Sequence, residues 1–208
     1  MSKLPLSELE NARRNPSAYR QLLDRRSEGG KGVFSWGYYN ALREAIRHFH
    51  KMNDSASAGH SHLVNGLERF TNRQRSQEIV NQFAWYIDDY NRRGWIRTQT
   101  YHTIVVPFED TRIQLRCSGE ISRLDIVPIG GYAAWIFRSQ KPEGWKQELR
   151  MPIIQYIAAK MFGVPGSEIK VGVISFQERF ADFHTFNDEQ IATAYLELID
   201  LITKLFQR

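Results

Sequence analysis

The chain has 208 residues and a formal net charge of +5, from 28 lysines and arginines against 23 aspartates and glutamates. Hydrophobic residues make up 42% of it, which suffices for a packed core and excludes a globally disordered chain. The lone cysteine, Cys117, excludes an internal disulfide and a cysteine-rich zinc site. The first residues hold no apolar run of signal-peptide length, and no segment reaches the ~20 apolar residues of a membrane span. We therefore expect a cytoplasmic protein without membrane contact.

The first half of the chain predicts helices. Residues 6–26 indicate two short helices that are separated near Pro16, because proline breaks a helix. Apolar residues at three-to-four spacing predict further helices over 34–52 and 63–93. Small polar residues fill 53–62, which favours a mobile loop between these two helices.

In the second half, the spacing changes to one typical of strands. We expect paired strands over 99–108 and 111–117, a second pair over 120–127 and 132–138, a helix over 145–162, a strand over 169–176 and a final helix over 188–206. Because helices precede and interrupt these strands, the pattern predicts an α/β fold with a mixed central sheet flanked by helices. We place an N-terminal helical region at 1–98 and the core at 99–208, packed together as one compact unit.

One segment carries a specific combination of motifs. Residues 119–125 have the strand sequence GEISRLD, a turn follows at Gly130-Gly131, and 135–139 (WIFRS) form the next strand ahead of an apolar helix. This order resembles the PD-(D/E)XK nuclease superfamily, in particular its RecB-type exonuclease branch. The resemblance is specific over about residues 119–176, and it implies a restriction-endonuclease-like core with the N-terminal helical region beside it.

Three positions depart from the pattern of that family. Ser122 stands where the family has a metal-binding aspartate, Ile136 replaces its second carboxylate, and Arg138 replaces its lysine. Mg²⁺-dependent phosphodiester hydrolysis requires carboxylate oxygens to hold the ion that activates water. A hydroxyl, a hydrocarbon and a permanently protonated guanidinium do not supply them. The resemblance therefore implies an inactive nuclease homologue that needs no cofactor and serves as a nucleic-acid-binding or scaffolding subunit in DNA processing or defence.

Several basic residues are candidates for contacts with DNA, the partner that the resemblance implies. Arg123, Arg138 and Arg150 are expected to face the former active-site cleft, with Arg138 on a phosphate. In the N-terminal half, Arg47 and His48 are candidates, and His48 resembles the family's histidine in position. Further basic and aromatic residues could line the same groove: Arg13, Arg14, Arg20, Arg25, Arg26, Lys31, Arg43, His50, Lys51, Trp36, Tyr38 and Tyr39.

Two alternatives stay open. In an active nuclease, the ligands of Mg²⁺ would have migrated to Glu120, Asp125 and Glu148. A regular strand sets Glu120 and Asp125 on opposite faces, so this alternative requires a β-bulge, and Asp125 could equally pair with an arginine. In a protein-interaction module, apolar residues such as Ile136 and Ile154 would fill the old cleft. The partner would then be another protein or a second copy of this chain.

Overall fold

The N-terminal half is mainly helical, as its apolar spacing indicates. The computed structural model describes residues 2–27, 37–108, 115–140 and 143–206. The elements of this half are β1 (Ser2–Pro5), a 3₁₀ turn (Leu6–Glu8), α1 (Leu9–Arg14), α2 (Pro16–Ser27), α3 (Tyr38–Lys51), α4 (Ala56–Leu67) and α5 (Arg73–Arg93). The predicted break near Pro16 is confirmed, since α1 ends one residue before Asn15 and α2 follows it. No helix in the described ranges is long and apolar enough to cross a membrane.

The segment 53–62 corrects the sequence prediction, because most of this expected loop is helical. Ser55 begins α4 as its N-cap, and its hydroxyl accepts a hydrogen bond from a backbone N–H of the first turn (3.3 Å). A Cβ at Gly59 would lie 2.5 Å from the ring of Phe83 in α5, so this small residue permits a close helix contact that hydrophobic periodicity does not register. The single helix expected over 63–93 is likewise divided between α4 and α5.

The second half alternates strands and helices. Its elements are β2 (Ile96–Val105), β3 (Leu115–Ile126), β4 (Tyr132–Arg138), a 3₁₀ turn (Trp145–Gln147), α6 (Arg150–Phe162), a second 3₁₀ turn (Gly166–Glu168), β5 (Ile169–Ser175), β6 (Phe180–His184) and α7 (Asp188–Phe206). The final helix and the buried strand over 169–176 are confirmed. The prediction of separate strands over 111–117 and 120–127 is wrong, since one continuous β3 covers the described part of both, and 111–114 lie outside the described residues.

The strands that the structure describes form one six-stranded mixed sheet. Its order is β1-β3-β4-β5-β6, with β2 paired to β3. β1 runs parallel to β3 and β4 parallel to β5, whereas the other neighbours are antiparallel. Residues of α1, α2, α6 and α7 share the core on one face, and residues of α3, α4 and α5 share the core on the other. The predicted α/β fold is therefore confirmed, while the division at residue 98 stays a prediction.

β3 is shared by three neighbouring strands, and this arrangement opens a gap in the sheet. Ser118 pairs with residues of both β1 and β2, and Arg123 pairs with residues of both β2 and β4. Because a strand has only two edges, β1 and β4 lie on the same edge of β3, one before and one after residues 119–122. Among the residues that the structure describes, none pairs with 119–122 on that edge, and β4 leaves the β3 ladder beyond Trp135. We call this gap the fork.

The strands are irregular beside the fork. The ladder between β2 and β3 skips Tyr101 and Ser122, and Tyr101 has a positive φ of 52°. Ile121 and Leu124 both join the core shared with α6 and α7, although residues three apart in a regular strand point to opposite faces. The alternation of side chains therefore shifts within β3, which is the kind of irregularity that the migrated-ligand alternative requires.

Candidate functional site

Ser122 lies in the fork and is buried, in the position that the resemblance assigns to a metal-binding aspartate. Its hydroxyl oxygen accepts a hydrogen bond from the N–H of Phe137 in β4 (3.0 Å). Because β4 has left the β3 ladder at this point, this N–H has no carbonyl partner in β3. Ser122 thus bridges the two diverging strands, and its hydroxyl is already used by the fold.

Ile136 lies beside the fork and brings no ligand oxygen to it. Its side chain is only 6% exposed and belongs to the core that β4 shares with α6 and α7. Ile154 of α6 is buried in the same core. Both side chains therefore fill the core beside the fork, and the protein-interaction alternative stays a prediction.

An ion cluster lies on the α6 side of the fork. Arg138, the last residue of β4, donates to both carboxylate oxygens of Glu148 (3.0 and 2.7 Å), and the Nε of Arg150 donates to the same carboxylate (2.7 Å). Burial raises the pKa of Glu148, and the charge of Arg138 opposes that shift. Two guanidinium groups therefore share one carboxylate. The Nε of Arg138 and one terminal nitrogen of Arg150 are buried and make no hydrogen bond to any described residue.

Helix α3 brings another arginine to the opposite side of the fork. Arg43 forms an ion pair with Glu120 of β3. The hydroxyl of Tyr101 in β2 donates to the backbone carbonyl of Arg43 (2.7 Å), and the guanidinium of Arg47 lies 4.4 Å from the centre of the Tyr101 ring. Burial raises the pKa of Tyr39, and the nearby charge of Arg43 opposes the shift. Tyr39, Arg43 and Arg47 are spaced four apart, so they form one face of α3.

This face of α3 changes the choice of candidate residues. The sequence places Arg43 and Tyr39 only within a broad basic and aromatic set, and their four-residue spacing with Arg47 is the signal that would have selected them. Arg47 lies on the same face and forms an ion pair with Glu44 (3.2 Å), and its contact with nucleic acid stays a prediction. The ring of His48 stacks on that of His62 in α4 (4.5 Å between centroids), and its expected contact with nucleic acid stays a prediction.

Arg123 and Asp125 form a separate pair, buried on the α5 face of the sheet. The Nε of Arg123 donates to a carboxylate oxygen of Asp125 (3.0 Å), and the indole N–H of Trp135 donates to the same oxygen (2.8 Å). Arg123 also donates to the hydroxyl of Tyr86 (2.9 Å). Both members of the pair have side chains with no exposed surface. The expectation that Arg123 faces an open cleft is therefore wrong, and the alternative in which Asp125 pairs with an arginine is confirmed.

The residues around the fork do not fit a magnesium ion. Mg²⁺ requires several oxygen ligands in near-octahedral geometry. The three carboxylates considered as migrated ligands, Glu120, Asp125 and Glu148, are each paired with arginine instead. In the parts of the chain that the structure describes, no group of three or more acidic, histidine or cysteine side chains could hold a metal ion.

Comparison with known proteins adds little to this geometry. No family model matches the chain, and no curated protein matches it. Among solved structures, the fold is similar to that of a protein from Eubacterium rectale described as a "Putative exonuclease". The two chains share 8% sequence identity with a TM-score of 0.49, and the alignment covers 89% of this chain and 72% of that chain. Function must therefore be inferred from the site itself.

Proposed function

We propose that this chain is a catalytically inactive nuclease-fold protein that binds the phosphate backbone of nucleic acid, and specifically DNA, at the fork. The observation that carries the proposal is the set of guanidinium groups beside the fork, where Ser122 and Ile136 stand in the positions of the family's carboxylates. Arg138 enters from β4 and Arg43 from α3, whereas Arg150 of α6 has a side chain that is only 7% exposed and holds Glu148. Guanidinium groups are suited to the planar, bidentate recognition of phosphate oxygens.

The chemistry of the fork supports the absence of hydrolysis. A phosphodiesterase of this kind needs a metal ion to lower the pKa of a bound water and to screen the phosphate. The uncharged hydroxyl of Ser122 accepts a hydrogen bond from a backbone N–H, and Ile136 has no polar atom in its side chain. Arg138 stays protonated at any physiological pH, so it cannot act as a general base.

The exposure of the arginines supports phosphate contacts. The side chains of Arg43, Arg47 and Arg138 are 31%, 47% and 28% exposed. Because Arg138 and Arg150 share Glu148, their pairing leaves one positive charge that a phosphate could neutralise. Phosphate oxygens would take the acceptor role that the glutamates now fill, so binding exchanges one anionic partner for another.

Two substitutions with opposite expected effects test this proposal. Arg138→Ala should weaken the binding of a fluorescent DNA strand on the order of tenfold and lower the slope of log affinity against log salt by about 1. Glu148→Gln keeps the shape of the side chain and removes its charge, so it should tighten binding severalfold at low salt. Arg92→Ala, at the far end of α5 in a side chain that is 71% exposed, is the matched control and should change neither quantity.

The opposing results are equally specific. A wild-type protein without affinity for single- or double-stranded DNA at low salt would overturn the binding proposal. Mg²⁺-dependent cleavage that Asp125→Ala or Glu120→Gln abolishes would restore the active-nuclease alternative. Weaker binding of Glu148→Gln would show that Glu148 supports the site and does not compete with phosphate.

A further inference from the structure

A small pocket of about 220 Å³ lies beside the fork, next to the carboxyl ends of β4 and β5. The start of α3 forms one wall of the pocket, and the first turns of α5 form the opposite wall. The side chains used in the argument below are those of Tyr38, Tyr39, Arg75, Gln82, Ser139 and Gln177. The pocket is smaller than the ~300–1,000 Å³ typical of sites for drug-sized ligands, and it therefore suits one planar ring system.

The pocket is continuous with the arginines of the fork. Tyr39 lines the pocket, and the charges of Arg43 and Arg138 both act on its hydroxyl. Ser139, on the rim, directly follows Arg138 in the chain. A group held in the pocket would therefore lie beside the guanidinium groups assigned to the phosphate backbone.

One wall of the pocket is a stack of planar groups. The rings of Tyr38 and Phe70 are 4.1 Å apart at an angle of 24°, and the guanidinium of Arg75 lies 4.8 Å from the centre of the Tyr38 ring. Arg75 is exposed and lines the pocket, so its planar guanidinium is accessible to a ligand. Unstacked bases of nucleic acids pack on arginine planes and aromatic rings in this manner.

The remaining wall supplies hydrogen-bonding groups. The buried amide of Gln82 makes one long hydrogen bond, from its Nε2 to Glu78 (3.5 Å). On the rim, the hydroxyl of Ser139 and the side-chain amide of Gln177 make no hydrogen bond to any residue that the structure describes. These groups include both donors and acceptors, which match the edge of a nucleobase.

We propose that this pocket holds one unpaired nucleobase of the strand whose phosphates contact the fork arginines. The inference rests on the proposed function, and it adds that the ligand is single-stranded or locally unpaired. A base inside a duplex is stacked and paired on its edge, so it must leave the helix before it can enter such a pocket. The stack at Arg75 would hold the face of the base, and Gln82, Ser139 and Gln177 would meet its edge.

The test compares two single DNA strands of equal length and equal phosphate charge, one with bases and one with abasic residues throughout. The wild-type protein should bind the base-bearing strand at least about fivefold tighter, since stacking and edge contacts are lost in the other.

Arg75→Ala and Gln177→Ala should reduce this ratio toward one. Gln74→Ala and Arg92→Ala, exposed positions of α5 outside the pocket, should leave it unchanged. Arg43→Ala should weaken the binding of both strands by the same factor.

The failures of the two proposals are distinguishable. Equal affinity for the two strands overturns the base pocket and leaves phosphate binding at the fork intact. A ratio that Arg75→Ala and Gln177→Ala do not change overturns it as well, because the preference would then arise elsewhere. Tighter binding of a duplex than of the base-bearing strand also overturns it. Absence of binding to either strand at low salt overturns both proposals.

Discussion

Two arginine–carboxylate groups in this protein share the same chemistry and have opposite surroundings. Arg123 and Asp125 are sealed in the core without exposed side-chain surface. Arg138 and Glu148 lie at the fork, with side chains that are 28% and 13% exposed. Separating a buried pair leaves an uncompensated charge in a medium of low polarity, whereas an exposed arginine can exchange its partner at little cost. Burial, and not pairing alone, therefore decides which arginine is available to a ligand.

The buried group extends into a chain of hydrogen bonds that joins three elements. Tyr86 of α5 accepts from Arg123 of β3 (2.9 Å), and its hydroxyl also contacts the Nε2 of His50 in α3 (2.6 Å). The Nδ1 of His50 contacts Asp54 (2.6 Å), which also accepts from the hydroxyl of Tyr90 (2.9 Å). This chain fixes α3 against the sheet, and α3 carries Arg43 at the fork. The sealed group thus positions the helix that carries Arg43.

The largest effect is expected for Arg123→Ala. The substitution leaves Asp125 buried with only the indole N–H of Trp135 as a partner, and removes a donor from Tyr86. Loss of one member of a buried ion pair typically costs about 3–5 kcal/mol of unfolding free energy. Urea denaturation followed by tryptophan fluorescence measures this change.

The double variant Arg123→Met with Asp125→Leu is the control for that prediction. It removes both charges and retains apolar volume, so it should lose much less stability than Arg123→Ala alone. A loss below about 1 kcal/mol for the single variant would contradict the picture of a sealed pair. Equal losses for the single and double variants would instead assign the effect to the missing side-chain volume.

The second effect is a loss of stability between pH 6.5 and pH 4. Burial lowers the pKa of His50 from 6.5 to about 4, although its hydrogen bond to Asp54 opposes the shift. In this window the unfolded chain binds a proton at His50 and the folded protein does not, so stability is complete above pH 6.5 and falls as the pH falls. The shift corresponds to about 3 kcal/mol at most. Unfolding free energies measured across this range test it.

His50→Gln is the matched variant for the pH experiment. It should flatten the pH dependence in this window, because it removes the imidazole that the unfolded chain protonates there. Burial raises the pKa of Asp54, but the hydrogen bonds from His50 and Tyr90 lower it by more, so the pKa lies below its ordinary value. Its contribution is therefore lost below the ordinary range of an aspartate and not between pH 6.5 and pH 4. An unchanged slope in His50→Gln would contradict the assignment to His50.

The elements that the sequence predicts well are those whose apolar period is long and undisturbed, such as α7 and β5. The sequence does not predict helix α4 because most of its residues are small and polar, and because Gly59 packs closely on Phe83, a residue of another helix. The sequence predicts two strands where the structure has the single strand β3, because β3 pairs with three other strands. Local patterns do not register contacts of this kind.

In the candidate site, too, the sequence predicts the positions of residues within a motif but not their partners from distant parts of the chain. Motif order locates Ser122, Ile136 and Arg138, because these positions follow from spacing along neighbouring strands. Their partners come from elsewhere in the chain: Arg43 lies 77 residues from Glu120, and the spacing of acids does not predict which arginine each one meets. The orientation of Asp125 is predicted from the alternation of side chains in a regular strand. The irregularity beside Ser122 interrupts that alternation.

The smallest effect is expected for the stability of Arg138→Ala, about 1 kcal/mol or less. The guanidinium is partly exposed, and Glu148 keeps Arg150 as a partner after the substitution. Arg138→Lys, which retains the charge, should lose less still, and both variants can be measured by the same urea denaturation as Arg123→Ala. A loss as large as that of Arg123→Ala would mean that Arg138 is as tightly committed to the fold as the buried pair. Its guanidinium could not then exchange Glu148 for a phosphate, and the difference between the two arginine groups on which DNA binding rests would disappear.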